Sequence, residues 1–149
     1  MNFFYREWTG GVSGLADTAS QQDRLLRQVK HWTSLYTGGR DVTILGDANL
    51  CAFKWNDSSY QQKSLSDITQ DFLLETSSFQ LVKDFTRSEL SGNELVRSCI
   101  DHCYTDVPEK HSKPQVVSVG NSDHLGVTVT KYARIPVTKP QTVIKRTSV

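Results

Sequence analysis

Residues 42–45, Val-Thr-Ile-Leu, constrain the fold most, because every position in this run is apolar or threonine. A run without polar alternation is typical of a β-strand that is covered on both faces. The preceding segment, from about Gln21, has apolar residues at helical spacing on one side. These residues are Leu25, Val29, Trp32 and Tyr36. A helix that leads into a strand with two covered faces predicts an α/β fold.

The remaining pattern predicts a second helix, further strands and one loop. Ser20 is the predicted N-cap of the first helix, which we expect to end at the glycines of "TGGR". The second helix is predicted over residues 64–76, with its apolar side chains inward. Strands are predicted over residues 2–5, 79–84, 98–106, 114–120 and 126–134, and "SELSGNE" is predicted to be an exposed loop. The predicted fold class is therefore α/β, with a mixed β-sheet and flanking helices.

The composition fits a single globular domain. Of the 149 residues, 37% are hydrophobic and 22% are charged, which is ordinary for a soluble protein. No apolar stretch approaches the ~20 residues of a membrane helix, and the first residues, "MNFFYREWTGG", lack the basic and apolar regions of a secretory signal. Three cysteines, an odd count, argue against a disulfide framework. We therefore expect an intracellular protein, nuclear or cytoplasmic and not secreted.

The charges are distributed unevenly along the chain. Residues 124–149 carry five basic residues and no acidic one, whereas residues 1–123 carry 12 basic and 16 acidic residues. The basic end can attract a polyanion, or it can be a solvated linker. Residues 135–149 contain two prolines. We interpret them as a basic tail or linker that follows a domain over residues 1–134.

The motif Gly46-Asp47-Ala48-Asn49 follows the covered strand and is the first place where chemistry can occur. If the strand continues, Asp47 and Asn49 point to the same side, because they are two positions apart. They would then lie at the carboxyl end of the strand, where α/β sheets bind their ligands. The alternative is an ordinary turn, for which Gly, Asp and Asn are the usual residues.

Asp123 and His124 form the second motif, directly before the predicted strand that begins at Gly126. Adjacent residues of a regular strand face opposite ways, so we expect this pair on the loop that enters the strand. On a loop, both side chains can reach one site. The alternative is a β-turn with a surface histidine.

Asp101 is the third signal, since it lies within the otherwise apolar run "CIDHCY". An acid in the middle of a strand costs several kcal/mol when it is buried without a partner. Asp101 therefore lies at an edge or has a partner, and histidine is a common one. We favour His124 as this partner, with His102 as the rival.

These three signals, in this order, resemble the C-terminal half of the endonuclease/exonuclease/phosphatase superfamily. That superfamily includes apurinic-site endonucleases and the endonucleases of non-LTR retrotransposons. The sequence motifs of this chain are most similar to those of the retrotransposon branch. The match covers roughly residues 2–134. The matching pieces are "FFYREW", "ILGDANLCAFKW", "FTRS", "SCIDHCYTD" and "NSDHLGV". The resemblance implies about half of a four-layer α/β-sandwich and a Mg²⁺-dependent phosphodiester hydrolase that nicks DNA.

The resemblance also implies roles for individual residues. Asp47 would orient and deprotonate the attacking water, while Asn49 and Tyr5 would contact the phosphate. Asp123 would help Asp47 to hold Mg²⁺ or Mn²⁺. His124 would meet the phosphoryl oxygen, with its ring fixed by Asp101. Two further residues are expected to bind the substrate, namely Arg87 and Trp55.

The chain departs from the family pattern in two respects. Ala48 occupies a position that is usually aromatic. The family's first half, which supplies an early Asn and the main metal-binding Glu, has no counterpart, so we expect weak metal binding. The expected partners are DNA, a missing N-terminal half or a second copy of the chain, and a reverse transcriptase of the same polyprotein if the element is intact.

Three other interpretations of the sequence were considered, and the first of them fails. A zinc site built from Cys99, His102 and Cys103 fails on geometry, because the two cysteines would lie ~13 Å apart on a strand at ~3.3 Å per residue. A non-catalytic nucleic-acid-binding remnant would use the basic tail and the three tryptophans. A phosphatase of the same superfamily is also compatible with these motifs, because none of the loops identifies the substrate.

Overall fold

The computed structural model describes residues 2–5, 18–39 and 41–133. Two α-helices are present in these ranges, α1 at Thr18–Thr37 and α2 at Lys63–Glu75. Short 3₁₀ turns lie at Ala52–Lys54 and Pro108–Lys110. The strands are β1 Asn2–Tyr5, β2 Thr43–Asp47, β3 Phe79–Gln80, β4 Arg87–Ser91, β5 Glu94–Ser98, β6 Asp101–Thr105, β7 Gln115–Val117 and β8 Gly126–Thr128. Within the described ranges, neither helix has the length and apolar character needed to cross a bilayer.

The central sheet has four strands in the order β1-β2-β6-β3. The pair β1–β2 is parallel, whereas β2–β6 and β3–β6 are antiparallel. Strands β4 and β5 form one separate hairpin, and β7 and β8 form another. The predicted α/β class with a mixed sheet and two helices is confirmed.

The helices cover one face of the central sheet through a cluster of aromatic rings. Trp32 of α1 and Phe72 of α2 pack against Ile44 and Tyr104, which are paired across β2 and β6. Phe4 of β1 adds an edge-to-face contact with Trp32 at 4.7 Å between ring centroids. Such ring pairs contribute about 0.5–1.5 kcal/mol each beyond the burial of apolar area. The predicted apolar side of α1 is therefore the side that faces the core.

The opposite face of the sheet is covered by smaller side chains and by the hairpin of β7 and β8. Cys103 of β6 clusters with Val82 and Cys99, and valines of the hairpin pack against this group. All three cysteines are free and buried, as expected of small apolar residues, but only Cys103 lies in a strand as predicted. Burial raises the pKa of Cys99 to about 12 and that of Cys103 to about 11. This face carries the acidic residues described below.

Helix α1 and strand β3 have boundaries that differ from the predicted ones, and the strand predicted over residues 98–106 covers only Asp101–Thr105. Helix α1 begins at Thr18, so Ser20 lies inside it and is not the N-cap; its end at Thr37, before the two glycines, is as predicted. The strand predicted over residues 79–84 stops at Gln80. There the Gln80 side chain accepts the N–H groups of Val82 and Cys103 and donates to the carbonyl of Val82. The side chain thus takes over the backbone pairing that a longer strand would make.

The segment "SELSGNE" was predicted to be an exposed loop, and this prediction was wrong about its structure. The segment belongs to the β4–β5 hairpin. The turn is made by Gly92, with φ 64°, and Asn93, a Gly-Asn pair typical of two-residue hairpin loops. The strands escaped prediction because both faces of the hairpin tip are exposed and so lack alternation. Even the leucines that pair across it, Leu90 and Leu95, are 76% and 55% exposed.

The last two predicted strands exist but are shorter than expected. They cover Gln115–Val117 and Gly126–Thr128 instead of residues 114–120 and 126–134. The predicted tail, residues 135–149, lies outside the described residues, as does Trp8.

Candidate active site

Two carboxylates face each other at one end of the ladder between β2 and β6. Asp47 is the last residue of β2 and Asp101 is the first of β6, and the two are partners in the antiparallel register. Side chains at such paired positions share a face, with Cβ atoms roughly 4.5–5.5 Å apart. Like charges at this separation repel each other, so the pair gains stability from a nearby positive group.

His124 completes the cluster from a separate part of the chain. Its Nδ1 lies 3.3 Å from Oδ2 of Asp101. One ligand atom each of Asp47, Asp101 and His124 lies within 4.8 Å of the others. Across the described ranges, this is the only group of three or more acidic, histidine or cysteine side chains with such spacing. The three signals that the sequence analysis singled out therefore meet at one place.

The loop that carries His124 is fixed by backbone contacts with the β4 strand. His124 forms an isolated antiparallel bridge with Arg87, and the N–H of Ser88 donates to the carbonyl of Asp123 at 2.9 Å. The hydroxyl of Ser122 accepts the N–H of His124 at 3.1 Å. As expected, Asp123 and His124 precede β8 and lie on the loop that enters it.

His102, the rival partner of Asp101, is used elsewhere. It is buried on the helix-covered face, where Nε2 lies 3.2 Å from the carbonyl of Cys99 and Nδ1 lies 2.6 Å from the hydroxyl of Tyr104. Because a carbonyl only accepts, Nε2 donates to it and Nδ1 accepts from the tyrosine. His124 is thus the histidine that pairs with Asp101, as favoured from the sequence.

The motif around Asp47 is both a turn and part of the cluster. Strand β2 ends at Asp47, so the condition that it continue to Asn49 is not met. Asn49 instead has a left-handed backbone, with φ 48°, and its N–H donates to Oδ1 of Asp47 at 2.8 Å. Asn tolerates this conformation better than most residues. The N–H of Ala48 donates to the carbonyl of Ile100, which fixes the turn to the start of β6.

Gly46 allows β1 to lie against β2 beside this turn. A Cβ atom at Gly46 would be only 1.8 Å from the carbonyl oxygen of Phe4, so no larger residue fits without moving β1. The parallel register that results puts Tyr5 opposite Asp47. The structure describes the backbone of Tyr5 and not its side chain, so its phosphate contact stays a prediction.

Asp123 lies at the rim of the cluster, in an ion pair. Its Oδ2 is 2.8 Å from Nε of Arg87, and Nη2 of Arg87 is 2.8 Å from Glu89. The guanidinium lowers the pKa of Asp123, and the carboxylate in turn raises the pKa of Arg87, which the charge of Asp47 raises further. The structure thus places both residues beside the cluster, while the metal role of Asp123 stays a prediction.

Trp55 is the predicted site residue that the structure does not bring to the cluster. Its ring packs edge-on against His102 at 5.4 Å between centroids, beside the aromatic core under the helices. Its role as a substrate contact is therefore without support from its position. Glu89, in contrast, was not predicted from the sequence as a neighbour of the site, although it forms an ion pair with Arg87. Its spacing of two from Arg87 predicts a shared face once β4 is recognised as a strand.

The donor set fits a divalent cation. Asp47 and Asp101 offer the carboxylate oxygens that Mg²⁺ and Mn²⁺ prefer, and His124 offers an imidazole nitrogen that suits Mn²⁺ better than Mg²⁺. A cation would also relieve the repulsion between the two opposed carboxylates. This repulsion, and not the cluster alone, is the physical reason for expecting a cation here.

The comparison with solved structures is informative about the fold. No family model matches the chain, and no curated protein matches it. Among solved structures, the chain is similar to the endonuclease domain of TRAS1, a telomere-specific non-LTR retrotransposon, with a TM-score of 0.54 and 19% sequence identity. The alignment covers 90% of this chain and 56% of that domain's chain. The chain therefore shares the fold of an endonuclease domain over little more than half of that domain's length.

Proposed function

We propose that this chain belongs to a divalent-metal-dependent phosphodiester hydrolase that nicks DNA, of the kind found in non-LTR retrotransposons. One observation carries the proposal. Asp47, Asp101 and His124 come from three separate segments and converge within 4.8 Å on a fold shared with a retrotransposon endonuclease domain. Hydrolysis of a phosphodiester needs an aligned water, a cation to balance charge and donors for the phosphoryl oxygens, and these side chains supply such groups.

In the proposed mechanism, Asp47 accepts a proton from the attacking water. The Asx turn supports this role, because the N–H of Asn49 fixes one carboxylate oxygen of Asp47 and so orients the group. His124 donates a hydrogen bond to a phosphoryl oxygen, and Asp101 holds its ring through Nδ1. A bound Mg²⁺ or Mn²⁺, held by Asp47 with Asp101 or Asp123, would supply charge neutralisation on the phosphate.

Arg87 is the proposed phosphate contact at the rim. Its guanidinium is paired with Asp123 and Glu89 at 2.8 Å each, so phosphate binding has to compete with these carboxylates. A phosphate oxygen would be a further charge-assisted acceptor for this guanidinium, and Asp123 would be one of the residues that hold a metal ion. Asn49 and Tyr5 are also proposed to contact the phosphate, since Asn49 follows Asp47 in its turn and the backbone of Tyr5 pairs with Asp47 in the register of β1 and β2.

We infer a further partner from the coverage of the structural match. Because the match spans 56% of the TRAS1 domain, we propose that a complementary N-terminal half is needed for full activity. Self-association with a second copy of this chain is the alternative, and a reverse transcriptase would belong to the same polyprotein if the element is intact.

Nicking of supercoiled plasmid DNA in Mg²⁺ or Mn²⁺ tests the proposal, with EDTA as the metal-free reference. Asp47→Asn should lower the nicking rate by about 10²–10⁴-fold, the usual contribution of a positioned base. Asp57→Asn is the matched control, because Asp57 makes the same turn by accepting the N–H of Ser59 through Oδ1, at 2.9 Å. Equal rates for wild type and Asp47→Asn would contradict the proposal.

The second function to consider is non-catalytic binding of nucleic acid. The coverage of only 56% of the endonuclease domain favours it, since a partial fold can retain a binding surface without a complete site. Salt-dependent binding to DNA, with no metal-dependent nicking by the wild-type chain, would support this function over the first.

A further inference from the structure

Thr86 connects two of the three segments that build the candidate active site, namely the start of β6 with Asp101 and the loop that carries His124. It is fully buried, and its hydroxyl oxygen accepts the backbone N–H groups of Ile100 at 3.1 Å and Asp101 at 3.0 Å. Its own N–H donates to the carbonyl of Ser98 at 2.8 Å, and its carbonyl accepts the N–H of Leu125 at 2.7 Å. One residue thus fixes the end of β5, the start of β6 and the loop that holds His124.

These bonds act on both members of the pair formed by Asp101 and His124. Asp101 is held at its own backbone N–H, and His124 is held through the N–H of the next residue. The two residues are 23 positions apart, and their side chains are 3.3 Å apart, longer than the roughly 2.7–2.9 Å of a strong charged hydrogen bond. A small shift of either backbone segment would therefore break the contact.

We propose that Thr86 is a positioning residue that sets the geometry of the pair of Asp101 and His124. It contacts neither substrate nor reacting atoms in this role. It acts by keeping the carboxylate of Asp101 within reach of His124 Nδ1. The proposal rests on the proposed function only for its kinetic readout, because the geometry of the pair can also be observed directly.

The test compares Thr86→Val, which removes the accepting oxygen at nearly constant volume, with Thr86→Ser, which keeps it. The matched control is Thr105→Val at the other end of β6. Thr105 is also fully buried, and its hydroxyl donates to the carbonyl of Val42 and accepts the N–H of Val107. Both valine variants lose two hydrogen bonds at a fully buried threonine, but only Thr86 is bonded to the segment that carries Asp101.

The kinetic readout is kcat and KM for plasmid nicking, normalised to folded protein. Thr86→Val should lower kcat by roughly 10–100-fold with KM changed less than about twofold, since small misplacements of reacting groups can cost about 10²-fold. Thr86→Ser should restore kcat to within about threefold of wild type, and Thr105→Val should leave it unchanged. An equal loss of kcat in Thr86→Val and Thr105→Val would overturn the proposal.

The second readout is the pair of His124 ring signals, ¹³Cε1 and ¹⁵Nδ1, measured by NMR at one fixed pH without metal. They should shift in Thr86→Val and stay at the wild-type position in Thr86→Ser and Thr105→Val. Unchanged signals in Thr86→Val would contradict positioning whether or not the chain nicks DNA. A wild-type chain without nicking would instead contradict the proposed function and leave this readout decisive for Thr86. If Thr86→Val does not fold, Thr86→Cys, a weak acceptor of similar size, is judged by the same outcomes.

Discussion

The two ends of the ladder between β2 and β6 carry similar side chains in opposite electrostatic arrangements. The site end has Asp47, Asp101 and His124, with two carboxylates at paired positions. The other end has two aspartates and a histidine as well, namely Asp41, Asp106 and His111, but it also has two lysines, Lys110 and Lys131.

At the lysine end, the carboxylates are matched by positive or donor groups. Asp106 accepts the backbone N–H groups of Asp41 at 3.1 Å and Val42 at 2.9 Å. The carboxylate of Asp41 forms ion pairs with Lys110 at 2.8 Å and with Lys131 at 2.6 Å. Lys110 and Lys131 lower the pKa of Asp41 to about 2, in that order of importance. The lysines therefore stabilise the ionised carboxylate of Asp41 in the folded state.

The histidine at the lysine end also has partners within the fold at both of its ring nitrogens. His111 is buried, with Nδ1 2.9 Å from the carbonyl of Val107 and Nε2 3.0 Å from the hydroxyl of Thr43. His124, at the site end, is about one-third exposed and has Nδ1 3.3 Å from Asp101. Residue type alone therefore does not identify a site. The two ends differ in the contacts of their groups: Asp41 pairs with two lysines and His111 is buried with a partner at each ring nitrogen, whereas His124 is partly exposed and makes one long contact with Asp101.

The largest effect should come from replacing the histidine of the site end. His124→Gln removes the proposed donor to the phosphoryl oxygen, so the nicking rate should fall by about 10²–10⁴-fold. The free energy of unfolding should change by less than about 0.5 kcal/mol, because the side chain is on the surface and makes one long hydrogen bond. Plasmid nicking and urea denaturation measure the two quantities. A large loss of stability without loss of nicking would contradict the proposal that His124 serves function and not stability.

Gly46→Ala tests how closely β1 must approach the site end. The added Cβ would lie 1.8 Å from the carbonyl oxygen of Phe4, so β1 has to move. We expect a loss of about 1–3 kcal/mol in the free energy of unfolding, as for other overpacked positions, and a slower nicking rate because Tyr5 leaves its place opposite Asp47.

Gly38→Ala is the control for this substitution, since a Cβ there meets the carbonyl oxygen of Leu35 at an ordinary 3.7 Å. Urea denaturation and the amide NMR signals of β1 report the change. Equal stability of the two alanine variants would show that β1 does not pack as described.

The histidine of the lysine end should matter for stability alone. His111→Ala removes one hydrogen bond from the hydroxyl of Thr43 and one from the carbonyl of Val107. The loss should cost about 1–3 kcal/mol of unfolding free energy in total, at about 0.5–1.5 kcal/mol for each bond. The nicking rate per folded molecule should stay the same. His31→Ala, on the exposed side of α1, is the control and should change stability by less than about 0.5 kcal/mol. A selective loss of nicking in His111→Ala would contradict the assignment of this end to structure.

The sequence favoured the pair formed by Asp101 and His124, with His102 as the rival. An acid within an apolar strand lies at an edge or has a partner, and the Asp-His motif had to lie on a loop, so His124 was a candidate without a structure. The contacts of the two rings in the structure decide between them. Asp47 could also be placed at a strand end from local signals. Local chemistry at strand ends is thus readable from sequence when an apolar run defines the strand.

The position of Asp123 could not be predicted in the same way. Its ion pair with Arg87 depends on the β4–β5 hairpin, whose exposed strands lack the alternation that identifies a strand. The hydrogen bonds that the Thr86 hydroxyl accepts from Ile100 and Asp101 could not be predicted from the sequence pattern either. They join a side chain to backbone N–H groups that are 14 and 15 residues away. Contacts set by tertiary structure, and not by periodicity, account for what was missed.

The smallest predicted effect is a pH dependence at the lysine end. The folded-state pKa of Asp41 is about 2, below its ordinary value of 3.8, so ionised Asp41 stabilises the folded state above about pH 4. This contribution should be lost as the pH falls from about 4 through 2, because the carboxylate is protonated in both states only below the folded-state pKa. Urea denaturation of wild type and Asp41→Asn at several pH values should therefore show a stability difference that is constant above about pH 4, is mostly lost by about pH 2 and disappears below it.

Lys110→Met provides the matched variant for this measurement, because the hydrogen bond from Lys110 is the largest cause of the low pKa of Asp41. Removing it should move that pKa toward its ordinary range and reduce the pH-dependent part of the stability. Asp41 is exposed and the pair is screened by salt, so the effect should also weaken as salt is added. A difference between wild type and Asp41→Asn that persists unchanged at pH 2 would mean that Asp41 contributes through its turn geometry, with φ 82°, and not through its charge.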